Sequence, residues 1–353
     1  MPREFLFMAA CAKSLFDPSE RSRLAAQAGA VDLGKLTGLA ARHRIEGIVW
    51  SALRGAGIDT GVPVLEPLGH AARTISQQGL RAAAESARLQ SAFALAGIDL
   101  LFLKGLAVGQ LAYGNAFVKR SWDIDVLVAP DAVGAAADLL RQAGYWCGSP
   151  GERADLVRWH GANKESVWHS ADELHHVELH SRLADNPELI PAVGMASPRQ
   201  TVAIAPGIAL PTLASDDLFA YLCVHGASSA WFRLKWIADF AGLLRDCDGA
   251  GIERLYWRSQ ELGAARSAAQ ALMVADAVFG LPLPPALRAG LEQSAANRWL
   301  AALALRDLAA PREPTGRRLG TAGIHLSQLL LKPGPFFAWR ELRRQVRAAI
   351  ANR

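Results

Sequence analysis

Residues 121–128 read SWDIDVLV, and this alternation is the tightest constraint in the chain. In a strand, successive side chains point to opposite faces. Ile124, Val126 and Val128 then share an apolar face, and Asp123 and Asp125 share the other, about 7 Å apart along the strand. Two carboxylates that close disfavour each other's ionisation. Three readings accommodate them: a solvated sheet face carrying surface acids, the acid pair of a sugar-nucleotide glycosyltransferase, or a site for a divalent cation. A hard cation such as Mg²⁺ prefers carboxylate oxygens and removes the repulsion. Phosphoryl-transfer sites often hold two ions about 3.5–4 Å apart, which paired carboxylates can bridge.

A cation site of that kind needs a third carboxylate on a neighbouring strand. HHVELHSRL, residues 175–183, offers one. Val177 and Leu179 face the core, while His176, Glu178 and His180 share the other face by the period of two. The same residues also read as the wet face of an amphipathic strand, or as a His/Glu zinc site. FLKG, residues 102–105, is an apolar strand that ends in Lys-Gly before a helix. Glycine permits close backbone approach, helix N-terminal amides favour phosphate, and Lys104 adds a point charge. A plain strand end with a solvated lysine fits the segment equally.

Around these motifs the pattern is helical. Residues 3–97 are rich in Ala, Leu, Arg and Gln, with one long helix expected over 64–97 and closed by Gly97. Strand and helix signals alternate over 98–211. DAVGAAADLLRQAG is a helix with Asp131 as N-cap and Gly144 as C-cap, ESVWHS is a strand, and TVAIAPGIALP is a further β segment or an extended arm. From 212 the helical pattern returns. The expected fold class is α+β: a small mixed sheet (98–211) between an N-terminal helical region (1–97) and a C-terminal helical region (212–353). No run is apolar enough for a transmembrane segment. Four scattered cysteines without a C-x-x-C pair, and no export signal, point to a reduced, cytoplasmic protein. Residues 311–353 carry nine Lys/Arg against two Asp/Glu, a local +7; with +5 for the whole chain, the remainder is at −2 by difference. The basic tail is expected to dock through Phe336, Phe337 and Trp339 with its arginines in water; contact with nucleic acid or an anionic membrane is the less favoured reading.

In order, FLKG, Tyr113-Gly114, RSWDIDVLV and VELH, then LFAYLCVHGASSAWFRLKWIADFAGLL, resemble the uncharacterised nucleotidyltransferase family of the DNA polymerase β-like superfamily. The resemblance covers residues 90–250. It implies that Asp123 and Asp125 are the first two metal-binding acids and that Glu178 is the third. Glu178 stands where the family usually has Asp, and its extra methylene moves the oxygens. Lys104, Gly105, Arg120, Ser121, His180, His225 and Lys235 are implied around the nucleotide, and Asp239 beside the cleft. Trp231 and Trp236 are read as core ahead of base stacking. The activity implied is transfer of an NMP, AMP from ATP, to the hydroxyl of a peptide, protein, RNA or small molecule in a bacterial tailoring or toxin-like setting. Two Mg²⁺ ions are implied as cofactors, with Mn²⁺ as the substitute. The alternative is a catalytically idle nucleotide sensor or scaffold.

Overall fold

A computed structural model describes residues 1–351. Asn352 and Arg353, the end of the basic tail, lie outside the described residues. Five helices open the chain: α1 (Arg3–Phe16), α2 (Glu20–Gln27), α3 (Leu33–His43), α4 (Glu46–Gly55) and α5 (Glu66–Leu95). Past α5, Gly97 at φ 69° turns the backbone through a region other residues avoid. The mixed segment follows as β1 (Leu101–Phe102), α6 (Leu106–Tyr113), β2 (Asp123–Leu127), α7 (Val133–Gln142), β3 (Tyr145–Ser149), α8 (Leu156–Ala162), β4 (Glu165–Ser170) and β5 (His176–His180). A hairpin of β6 (Arg199–Ala205) and β7 (Ile208–Leu213) completes it. The C-terminal helices are α9 (Ser215–Ser228), α10 (Leu234–Leu243), α11 (Gly249–Glu261), α12 (Ala265–Phe279), α13 (Pro285–Gln293), α14 (Ala295–Ala309), α15 (Ala322–Gln328) and α16 (Pro335–Ala351).

The main sheet has the order β1-β2-β5-β4-β3. β2 and β5 run parallel and the other neighbours are antiparallel. The fold is therefore α+β, with a mixed five-stranded sheet between helical flanks. Ile124, Val126, Val177, Leu179 and Trp168 fill one face with Phe93 of α5 and Leu140 of α7. On the other face, Leu101 and Leu127 pack under Leu218, Tyr221 and Val224 of α9. That second face is covered, not open to solvent, and the covering helices turn it into a cleft at the end where the aspartates stand. Phe5, Met8, Leu36 and Ile48 of the first helices share one apolar cluster with Trp231, Phe240 and Leu272 of the last.

Three local expectations differ. The strand in the apolar run before Lys104 is short, Leu101–Phe102, with the Leu103 amide still donating to the Asp125 carbonyl at 3.0 Å, and Gly105 at φ 63° then bends the chain toward α6. Asp131 is no N-cap: Pro130–Ala132 form a 3₁₀ turn, and α7 starts after Ala132 without a side-chain cap. β3 and α8 were not anticipated. α8 carries a legible start signal, since Asp155 accepts from the Arg158 amide at 3.0 Å.

Candidate active site

The parallel register of β2 and β5 sets Asp123 beside His176, Asp125 beside Glu178 and Leu127 beside His180. Asp125, Glu178 and His180 each offer a ligand atom, and these atoms lie within 4.8 Å of one another. His180 is the hub. Its Nε2 lies 3.3 Å from Asp125 Oδ1 and 3.4 Å from Glu178 Oε2, and its Nδ1 lies 3.3 Å from Glu165 Oε2. His160 supports this corner from behind, 2.8 Å from Ser181 Oγ and 3.0 Å from Ser166 Oγ. Asp123 stands at the rim, exposed and outside that cluster. His176 meets His169 instead, Nδ1 to Nδ1 at 2.6 Å, so the three residues of one strand face do not form a zinc set by themselves.

The cleft above them holds about 250 Å³. Lys104, Gly105, Ser121, Asp123, Asp125 and Glu178 line its sheet side. His225, Trp231, Lys235, Trp236 and Asp239 close it from α9, α10 and the turn between them. The sequence separates these groups by up to 135 positions, and the fold brings them together. Gly105 is required there: a Cβ on it would lie 2.6 Å from Ser121 Oγ. Gly226 is required for the opposite wall, since its Cβ would fall 2.4 Å from the Trp231 ring. Trp231 is fully buried and edges onto Phe240 at 5.7 Å, so it is core as well as wall. Tyr113 donates to Asp239 Oδ1 at 3.0 Å, and Lys119 pairs with Oδ2 of the same carboxylate.

Lys104 is neither solvated nor turned toward the start of α6. Its Nζ lies 2.7 Å from Asp125 Oδ1 and 3.8 Å from Glu178 Oε2. Burial pushes the Asp125 pKa up, but Lys104 and the hydrogen bonds from His180 and Glu178 outweigh it and hold the carboxyl well below its usual range. Burial and the charge of Asp125 push Glu178 up to about 7. At the rim, partial desolvation of the carboxyl and then the charge of Asp125 raise Asp123. Burial lowers the tendency of His180 to charge, yet its bonds to Asp125 and Glu178 hold its pKa above the ordinary value. Burial, then the charge of Lys119, bring Lys235 down to about 8. Two carboxyls of the cleft are thus raised, by burial first and by the charge of Asp125 second. Converging carboxylate oxygens with one imidazole fit a hard divalent cation.

Arg120 is not in this cleft. It pairs with Glu46 of α4 at 2.6 Å and lies 5.4 Å over the Trp122 ring. Both line an outer groove of about 630 Å³ that shares Arg44, Trp122 and Asp123 with the cleft. Sequence reasoning missed Arg44, Trp122, Lys164 and Arg233 as lining residues. Arg44 sits just past α3 at φ 57°, in a segment the motifs did not reach. Trp122 lies inside the quoted motif, and its exposure of 48% is the signal only the fold reveals.

A family model described as uncharacterised nucleotidyltransferase matches residues 29–280. The chain belongs to this family. The match begins well before residue 90, so the family's extent includes α3, α4 and the long α5, and with them Arg44. Nucleotidyltransferase membership supports nucleotidyl transfer as the general activity, with a nucleoside triphosphate as substrate. No curated protein matches the chain.

Proposed function

We propose that this nucleotidyltransferase moves an NMP from an NTP, with ATP the first donor to try, onto an acceptor hydroxyl in a Mg²⁺-dependent reaction. The observation that carries the reading is the register of Asp125 beside Glu178 at the floor of a cleft ringed by cations. Asp125, Glu178 and Asp123 are the residues to hold divalent metal, with His180 as a further donor. When bound, such ions supply positive charge for the attacking and leaving oxygens.

The chain's own groups account for the rest. The turn at Gly105 and the first amides of α6 cradle phosphate. Lys235 and Arg44, which make no ion pair among the described residues, draw the triphosphate. Trp122 and the Arg120 guanidinium stacked on it offer a platform for the base in the outer groove. Glu178 accepts the proton of the acceptor hydroxyl. The freed oxygen bonds to the α-phosphorus in line, the bond from that phosphorus to the bridging oxygen breaks, and pyrophosphate leaves with the electron pair. Four free cysteines fit a cytoplasmic setting.

Thermal stability with each NTP, with and without Mg²⁺ or Mn²⁺, tests the reading on the native chain and on Asp125→Asn. A ligand at a hundred times its Kd adds about 2.7 kcal/mol. A metal-dependent shift with one NTP, absent in Asp125→Asn, is expected; no shift with any NTP rejects the site. The Lys104–Asp125 pair favours one second reading, an idle nucleotide sensor. That reading predicts the same shift with no pyrophosphate released across a panel of acceptors.

A further inference from the structure

We propose that α16 is an interfacial helix that docks the protein onto anionic membrane lipid. One side of the helix is fastened to the body. Phe337 is buried beside Leu331, and Glu341 is buried, accepting from Asn186 Nδ2 at 2.8 Å and pairing with Arg344 at 2.6 Å. The side facing away carries Phe336, Trp339, Leu342, Val346 and Ile350, all 42–77% exposed. Their spacing of three or four residues keeps them on one stripe of the helix. An apolar stripe of this size in water marks a contact surface.

Arginines flank it. Arg340, Arg343 and Arg347 are exposed, and Arg344 is half-buried. Arg340 pairs with Glu188 at 2.7 Å, while Arg343 and Arg347 make no ion pair among the described residues. Neighbouring like charges at three and four positions destabilise a helix, so the row calls for an anion. Arg343, Arg344 and Arg347 also line a groove of about 510 Å³ together with Arg182, Asn163, Trp159, Asp185 and Glu188. The groove is of a size for a lipid headgroup.

The charge pattern selects the occupant. Glu341, the one acidic residue of α16, is buried, so the exposed side of the helix presents apolar and positive groups alone. A second copy of the chain would set arginine row against arginine row. An anionic bilayer accepts the Trp, Phe and Ile side chains among its upper acyl carbons and offers phosphates to the arginines beside them. Among the described residues no helix is long and apolar enough to cross a membrane, and the proposal has α16 lie along the surface.

Flotation with vesicles of equal parts phosphatidylcholine and phosphatidylglycerol, against phosphatidylcholine alone, tests this on the full chain. The native protein is expected to float with the anionic vesicles and at least about thirtyfold less with the neutral ones. The double variant Phe336→Ser/Trp339→Ser, which leaves Phe337 and Glu341 in place, loses flotation. Arg343→Gln/Arg347→Gln weakens it about thirtyfold, at roughly fivefold per arginine held near an anionic surface. Asp125→Asn floats like the native chain, so failure of the nucleotide site and failure of the helix are read separately. The melting temperatures of both tail variants stay at the native value. Flotation unchanged in both variants, or no flotation at all, overturns the proposal. So does a concentration-dependent dimer abolished by Trp339→Ser, or flotation fully displaced by soluble glycerol phosphate.

Discussion

Asp125 is buried with a full complement of charged neighbours, and its behaviour as a single residue follows from them. Removing its charge leaves Lys104 beside the neutral-leaning Glu178. Breaking a buried pair this way costs about 3 kcal/mol. Urea unfolding of Asp125→Asn, Lys104→Met and the double variant should show the two costs failing to add, with a coupling of about 1 kcal/mol or more. Additive costs would mean that the 2.7 Å contact is energetically idle. At the rim, Trp122 is exposed, with Arg120 stacked over its ring. If it stacks a base, Trp122→Ala weakens NTP binding by about 1–3 kcal/mol while leaving the melting temperature of the free protein in place. Calorimetric titration separates the two effects.

At the scale of elements, the turn between β1 and α6 does the positioning. Gly105 adopts φ 63°, ψ −120°, a region that side chains reach only under strain, and Ser121 Oγ stands 2.6 Å from where its Cβ would be. Gly105→Ala is expected to cost about 1–3 kcal/mol and to abolish the NTP-induced shift, since the amides of α6 move with it. Gly114, at the other end of α6, has φ 66° with nothing within 4 Å of an added Cβ. Gly114→Ala should cost about 1 kcal/mol and leave the NTP shift intact. Equal loss of the shift in both variants would mean that α6 as a whole, not its first turn, shapes the site. The Gly-Lys turn is visible in sequence as FLKG. Its reach to Ser121, sixteen positions on, is not, because that approach depends on β1 pairing antiparallel with β2.

Across the whole molecule, the first and last helices are fastened through polar as well as apolar contacts. Arg42 donates to the carbonyls of Phe232 at 2.7 Å and Asp307 at 2.8 Å, and the Leu234 amide donates to His43 Nδ1 at 3.0 Å. His43 must stay neutral to accept that bond. Burial, then the charges of Arg42 and Arg233, bring its pKa from 6.5 down to about 3. A histidine depressed in the folded state takes up its proton first in the unfolded chain. Its contribution is therefore whole above pH 6.5 and lost as pH falls toward about 3, at up to about 1.4 kcal/mol per pH unit. Unfolding free energy should drop by about 2 kcal/mol between neutral pH and pH 5 through this residue, and His43→Gln should remove that part of the slope. The same wall brings Arg44 to the cleft mouth, so losing the α3–α10 contact at low pH should weaken nucleotide binding as well. What the sequence by itself determined is local and periodic: the strand of Asp123 and Asp125 with its apolar back, the strand of Glu178 and His180, the glycine turn after Lys104, and the helical flanks. Alternation and turn chemistry act within a few residues, and no partner has to be known to read them. The tertiary structure alone decided which carboxylates share a point in space, that Lys104 turns to Asp125, that Arg120 is spent on Glu46, and that α9 and α10 roof the acidic face. Those outcomes depend on strand order, on parallel register and on contacts between residues more than a hundred positions apart, which no local pattern encodes.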